Sequence, residues 1–262
     1  MTDEPILFEF SKSIARITLN RPTKGNAIDM SLAQALFEAA IRCDTDPAVR
    51  CVVLTGAGRA FCVGGDLALL NSAGPKVQGV LSELTGFLHM AVTRLARMQK
   101  PLLTLINGPA AGAGLSLALL GDIVLAAESA HFTSAYTAIG LTPDGGLTWL
   151  LPRVLGLRRA QEMILSNRRI DAAEAASMGL VTRVVSDGAL TLEGTTLAAR
   201  LAESPTQALG KSRSLLLDSF GVSIETQLER EARTITAAGA NAEGAEGIAA
   251  FLGKRKPDYS RI

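Results

Sequence analysis

Hydrophobic and polar positions alternate in two ways along the chain. Ile6–Phe10 and Ile14–Asn20 read as a strand pair; in the second, Ile14, Arg16 and Thr18 alternate with Ala15, Ile17 and Leu19. After the turn Arg21-Pro22-Thr23-Lys24-Gly25-Asn26 the period changes. Leu32, Ala35, Leu36, Ala39 and Cys43 fall at helical spacing, with Ser31 as the expected start and Gln34 at the capping-box position. Cys51–Thr55 is a short apolar run that predicts a buried strand. A longer amphipathic helix is predicted over residues 77–98, with Leu81, Leu84, Leu88, Val92, Leu95 and Met98 on one face. Pro101 ends it and opens the strand Leu102–Ile106. A buried helical segment, Leu115–Leu120, and a strand, Asp122–Ala126, follow.

This alternation predicts an α/β core over residues 1–190. From Thr191 to about residue 252 the period is helical throughout, with breaks at Pro205 and Gly221, so residues 191–262 read as a helical C-terminal region packing on the core or on a neighbouring subunit.

The chain has 262 residues, 48% of them hydrophobic, enough to bury a large core. Lys+Arg is 26 and Asp+Glu is 25, a net charge of +1, which gives no electrostatic footprint for nucleic acid or an anionic membrane. Aromatic residues are 4%, too few for base-stacking platforms. The strongest basic cluster, Lys254-Arg255-Lys256, reads first as a solvated tail and second as a phosphate contact. Cys43, Cys51 and Cys62 show no paired spacing, so neither a disulfide framework nor a zinc site is expected. The acidic start Met1-Thr2-Asp3-Glu4-Pro5 carries no targeting signature, and no uncharged apolar run is long enough to cross a bilayer. The cytoplasm is the expected compartment.

Two glycine-rich turns stand out, Ala60-Phe61-Cys62-Val63-Gly64-Gly65-Asp66 and Asn107-Gly108-Pro109-Ala110-Ala111-Gly112-Ala113-Gly114. Each ends a strand-like run and opens a helix-like one, so each aims backbone N–H groups at whatever lies between them. Facing each other, they can hold one carbonyl oxygen as it becomes an oxyanion. The lone acid Asp144, in Pro143-Asp144-Gly145-Gly146, can then move protons beside it. Each piece also has an ordinary reading. Gly64-Gly65 can be a tight turn with Asp66 capping the next helix, and Gly112-Ala113-Gly114 can serve close packing. Asp144 can be a turn residue or an N-cap. Neither turn fits a dinucleotide fingerprint or a P-loop. His89 and His131 read as surface or packing residues, Cys62 as part of a turn rather than a nucleophile, and Asp171-Ala172-Ala173-Glu174 as a capping box without chemistry.

Taken together, several segments resemble the enoyl-CoA hydratase/isomerase (crotonase) superfamily. They are Leu19-Asn20-Arg21-Pro22 with Asn26-Ala27, Val52–Gly56 with Phe61–Leu67, Lys100-Pro101, Asn107-Gly108, Gly112-Ala113-Gly114, Gly140–Gly146, Leu151-Pro152-Arg153, Ala175–Val181 and Phe251–Pro257. The resemblance covers nearly the whole chain. It implies an α/β spiral of β-β-α repeats, a C-terminal helical trimerisation region, and a homotrimer or dimer of trimers. It implies an acyl-CoA thioester as substrate and no separate cofactor, coenzyme A being part of that substrate. It places the oxyanion-hole N–H groups at Gly65 and Ala113. It places coenzyme A binding at Lys24, Ala27 and Cys62–Leu67, including Val63, Gly64 and Asp66, with Lys254–Lys256 as a further phosphate contact.

The resemblance also shows departures. Where family hydratases carry two glutamates, this chain has Ser116 and Tyr136. A single acid in a loop like Pro143-Asp144-Gly145-Gly146 resembles members that shift a double bond, with Asp144 as the acid/base and Leu141 and Trp149 as pocket walls. The alternatives are an isomerase of ring-derived epoxide thioesters, a hydratase with atypical residues, and a non-catalytic acyl-CoA-binding protein.

Overall fold

The computed structural model describes residues 4–259 and 262. Met1, Thr2 and Asp3 of the acidic start lie outside the described residues. Strands β1 (Ile6–Ser11) and β2 (Ile14–Leu19) form the expected hairpin, paired from Ile6↔Leu19 to Ser11↔Ile14. Lys12 and Ser13 both take positive φ (50° and 62°), the twist a two-residue hairpin turn requires. Then follow α1 (Met30–Thr45), β3 (Cys51–Gly56), α2 (Leu67–Ala73), α3 (Val77–Arg97), β4 (Leu102–Ile106), β5 (Ala110–Ala111), α4 (Ala113–Ala118), β6 (Ile123–Ala127) and β7 (His131–Thr133). The chain continues through α5 (Leu147–Leu155), α6 (Leu157–Ser166), β8 (Ile170–Asp171), α7 (Ala172–Met178) and β9 (Arg183–Val185). It ends in four helices, α8 (Leu190–Ala202), α9 (Thr206–Asp218), α10 (Ile224–Gly239) and α11 (Ala242–Leu252).

The path is a spiral. Strands β1-β2-β3-β4-β6-β9 form one sheet, parallel from β2 onward, while β5-β7-β8 form a second, small sheet. The chain thus visits both sheets in turn. The parallel strands are apolar on both faces because both are covered. Val52, Leu54, Leu102 and Ile106 pack with α1 and α3, whereas Cys51, Val53, Leu103 and Leu105 pack with Ala198 and Ala202 of α8.

One local reading is corrected. Helix α1 starts at Met30 under an Asp29 cap, whose carboxylate accepts from Leu32 N–H at 3.0 Å; Ser31 lies inside the helix and donates its hydroxyl to Asp29. Gln34 is therefore not at the capping-box position. The first turn opens a helix as expected, α2, and Asp66 caps it through Ala68 and Leu69 N–H. His131 is the first residue of β7, and its ring nitrogen lies 3.1 Å from the Arg169 guanidinium. The Asp171 cap is as expected, accepting from Glu174 N–H at 2.8 Å. The Glu174 side chain pairs with Arg168 instead of closing the box.

Candidate active site

The two glycine turns lie against each other. Cys62 and Ala110 form a parallel bridge: Cys62 N–H donates to the Pro109 carbonyl at 3.1 Å and Ala111 N–H to the Cys62 carbonyl at 2.9 Å. The approach is so close that a Cβ on Gly114 would sit 2.0 Å from the Cys62 carbonyl oxygen. On its other side the first turn is held by Ile28, whose N–H donates to Gly64 O and whose carbonyl accepts from Asp66 N–H. Because Gly64 O and Asp66 N face Ile28, the Gly65 N–H between them points the other way.

Gly65 N–H and Ala113 N–H have no hydrogen-bond acceptor among the described residues. Ala113 opens α4, whose first N–H groups have no partner within the helix. In both turns the residue before the free N–H is a glycine at positive φ, Gly64 at 99° and Gly112 at 54°. Only glycine adopts these conformations without strain. Both free N–H groups border one cavity of about 400 Å³, walled by Leu67, Leu70, Leu81, Leu84, Leu88, Ile139 and Leu141. Asp144 also lines it and is the only carboxylate among the lining residues. Turns from distant parts of the chain thus converge with one acid in an apolar space, the setting in which fixed N–H dipoles act most strongly.

Asp144 is held from three directions. Its carboxylate Oδ1 accepts from the Tyr136 hydroxyl at 2.5 Å, and its backbone carbonyl accepts from the Ser116 hydroxyl at 3.0 Å. The following N–H, of Gly145, donates to His89 Nε2 at 3.1 Å. Burial first, then the negative Asp144, push the Tyr136 hydroxyl well above the ordinary tyrosine range, so it stays a neutral donor. The Asp144 side chain caps no helix: α5 starts after Gly146 without a side-chain cap. His89, read from sequence as a surface or packing residue, supports the acid's loop. Its spacing gave no sign of this, since the partner is a backbone group 56 residues away.

The first turn rests on a polar scaffold. The buried Asn26 donates to the carbonyls of Ala57, Ala60 and Phe61 and accepts from Arg21 N–H. Arg21 Nη2 bridges Asp29 at 2.8 Å and Asp66 at 2.9 Å, and Lys24 Nζ lies 3.5 Å from Asp66. Burial alone would raise the Asp66 carboxyl; the bond from Arg21, that from Leu69 N–H and the charge of Lys24 outweigh it and hold the group below the usual carboxylate range.

The remaining expected positions are divided. Val63 and Leu67 border the cavity with exposed side chains, and Ala27 is buried beneath the turn. Cys62 is buried, with its thiol 3.1 Å from the Asn26 carbonyl, and burial pushes the thiol up to about 12, away from the thiolate form. Leu141 is in the cavity wall, but Trp149 is not. Its ring faces a different apolar groove with Leu216 and Phe220, under the Arg153 guanidinium at 3.9 Å. In the basic cluster, Arg255 pairs with Glu246 and Lys256 with Glu203.

The enoyl-CoA hydratase/isomerase family profile matches residues 9–261. The chain is 40% identical to the 1,2-epoxyphenylacetyl-CoA isomerase of Escherichia coli K12 over 98% of both chains. Among solved structures, it is similar to an enoyl-CoA hydratase from Polaromonas sp. JS666 (TM-score 0.92, 34% identity, 97% of this chain and 98% of that one). It is likewise similar to an enoyl-CoA hydratase/isomerase from Cupriavidus metallidurans CH34 (TM-score 0.90, 32% identity, 98% and 96%). Sequence match and spiral fold extend together over almost the whole length, and on that ground the chain belongs to the enoyl-CoA hydratase/isomerase family.

Proposed function

We propose that the protein is an acyl-CoA isomerase that moves a β,γ double bond to the α,β position. The observation that carries this reading is the pairing of two acceptor-free N–H groups with a single carboxylate in one apolar cavity. The thioester oxygen sits between Gly65 and Ala113 N–H. The α-carbon C–H bond breaks, its proton passes to Asp144, and the electron pair is held as the enolate. The same proton then joins the γ-carbon as the α,β double bond forms. Losing one such oxyanion donor typically costs roughly 3 kcal/mol in the transition state.

Adding water to a double bond calls for a base on the water and an acid at carbon. Ser116 and Tyr136 supply neither, since both are spent on Asp144. A second reading keeps the same enolate chemistry on a ring-derived epoxide thioester; its support is the 40% identity to the 1,2-epoxyphenylacetyl-CoA isomerase. Coenzyme A enters as part of the substrate along Lys24, Ala27 and residues 62–67, with no other cofactor.

In the same reading residues 191–262 serve oligomerisation, as a homotrimer or dimer of trimers, through the helices beyond α8, since Ala198 and Ala202 of α8 are buried against the sheet. Leu216, Ile235, Phe251 and Leu252 are 71–84% exposed on these helices, and such a run of uncovered apolar side chains is suited to a partner surface. No helix among the described residues is long and apolar enough to cross a membrane. A cytoplasmic location belongs to the proposal.

The test follows conversion of a 3-enoyl-CoA to the 2-enoyl-CoA by thioester absorbance. Turnover by the wild type that falls about a hundredfold or more in Asp144→Asn is expected for a lost acid/base. Equal turnover in both removes Asp144 from this role. Formation of 3-hydroxyacyl-CoA from a 2-enoyl-CoA favours a hydratase, and binding without turnover favours a binding protein.

A further inference from the structure

Tyr136 is placed with unusual backbone effort. Its N–H donates to the Ser134 carbonyl at 2.8 Å, closing a three-residue turn over Ala135, which is held at φ 61°. A non-glycine residue in such a turn is strained, and strain of this kind persists only where the surroundings enforce it. The Tyr136 carbonyl accepts from both Ile139 and Leu141 N–H, at 3.1 and 3.0 Å, so the residue is fixed from both sides. The residue is buried in the cavity wall, and its hydroxyl meets Asp144 Oδ1 at 2.5 Å, the range of a hydrogen bond to a charged oxygen. Oδ2 accepts no bond from any described residue.

We propose that Tyr136 is a positioning residue that locks the Asp144 carboxylate through Oδ1 and leaves Oδ2 as the one oxygen that takes and returns the substrate proton. The proposal rests on the isomerase reading above. Tyr136 transfers no proton itself; its hydroxyl stays bonded to Oδ1 in both steps. The α-carbon proton moves to Oδ2 as its electron pair enters the enolate, and the γ-carbon recovers that proton from Oδ2. A carboxylate free to rotate would present either oxygen at a varying distance, and a misplacement of about 1 Å can cost a hundredfold in rate.

The experiment compares Tyr136→Phe, Asp144→Asn and the double variant with the wild type. Tyr136→Phe keeps the ring and removes the hydroxyl. Its kcat on a 3-enoyl-CoA is expected to fall about tenfold or more with KM within about twofold. In the Asp144→Asn background the same change is expected to add no loss, because a residue acting through Asp144 has nothing left to position. Independently of turnover, proton NMR of the wild type is expected to show a downfield, slowly exchanging hydroxyl proton that vanishes in both single variants. Absence of that resonance, full activity in Tyr136→Phe, or an undiminished further loss in the double variant overturns the proposal. Asp144→Asn inactive beside a fully active Tyr136→Phe overturns this proposal alone. Asp144→Asn as active as the wild type overturns the acid/base reading, and this proposal with it.

Discussion

The hydroxyl of Ser116 donates a 3.0 Å hydrogen bond to the backbone carbonyl oxygen of Asp144. The two places where the family resemblance puts hydratase glutamates thus carry hydroxyls, and both hydroxyls are turned onto one acid. The same carbonyl also accepts from Leu147 N–H at 3.1 Å, so Ser116→Ala removes one of two partners. The expected cost is about 1 kcal/mol of stability by urea unfolding. Turnover is expected to fall by less than in Asp144→Asn, because the carboxylate itself remains.

The contact between the glycine turns is testable at Gly114. Its Cβ would meet the Cys62 carbonyl oxygen at 2.0 Å, and a backbone atom cannot move aside cheaply. Gly114→Ala is expected to destabilise the protein by about 3 kcal/mol or more and to abolish turnover. Gly65→Ala is the contrast: no heavy atom lies within 4 Å of its Cβ position, and thermal unfolding is expected to be close to wild type.

Asn26 links the hairpin to the first turn from a fully buried position at φ 58°. Asn26→Ala would strand the Arg21 N–H and weaken the satisfaction of three carbonyls, for an expected loss of about 3 kcal/mol in denaturant unfolding. Asn26→Asp is expected to be worse, since it sets a carboxylate against those carbonyl oxygens.

Asp66 makes stability depend on acid. Its folded-state carboxyl lies below the ordinary value, so the unfolded chain binds the proton more readily. The contribution is fully present above the ordinary carboxyl value of about 4 and is lost as pH falls through the lower folded-state value. Urea unfolding across this range is expected to show falling stability on acidification, with a shallower dependence in Asp66→Asn.

Much of the frame was legible in the chain. The unbroken apolar run of Val52-Val53-Leu54 predicts a strand buried on both faces, the spacing of Leu84, Leu88 and Leu95 predicts a helical face, and all are buried. The strands Ala110–Ala111 and Ile170–Asp171 are two residues long, too short to show a period, and they exist because β7 lies between them. Trp149 was misplaced for a related reason. Neighbours in sequence on α5 face different ways, and the helix turns its ring away from the cavity that Asp144 borders, toward Leu216 and Phe220.

The sequence by itself determined the α/β alternation, the two glycine turns, the lone acid after them and the family, because each is carried by residue type at fixed spacing. Only the tertiary structure decided which N–H groups lack acceptors and which side chains hold Asp144. Those are questions of hydrogen-bond partnership between Ser116, Tyr136, His89 and a loop up to 56 residues away, and such partners are chosen by packing in space, not by distance along the chain.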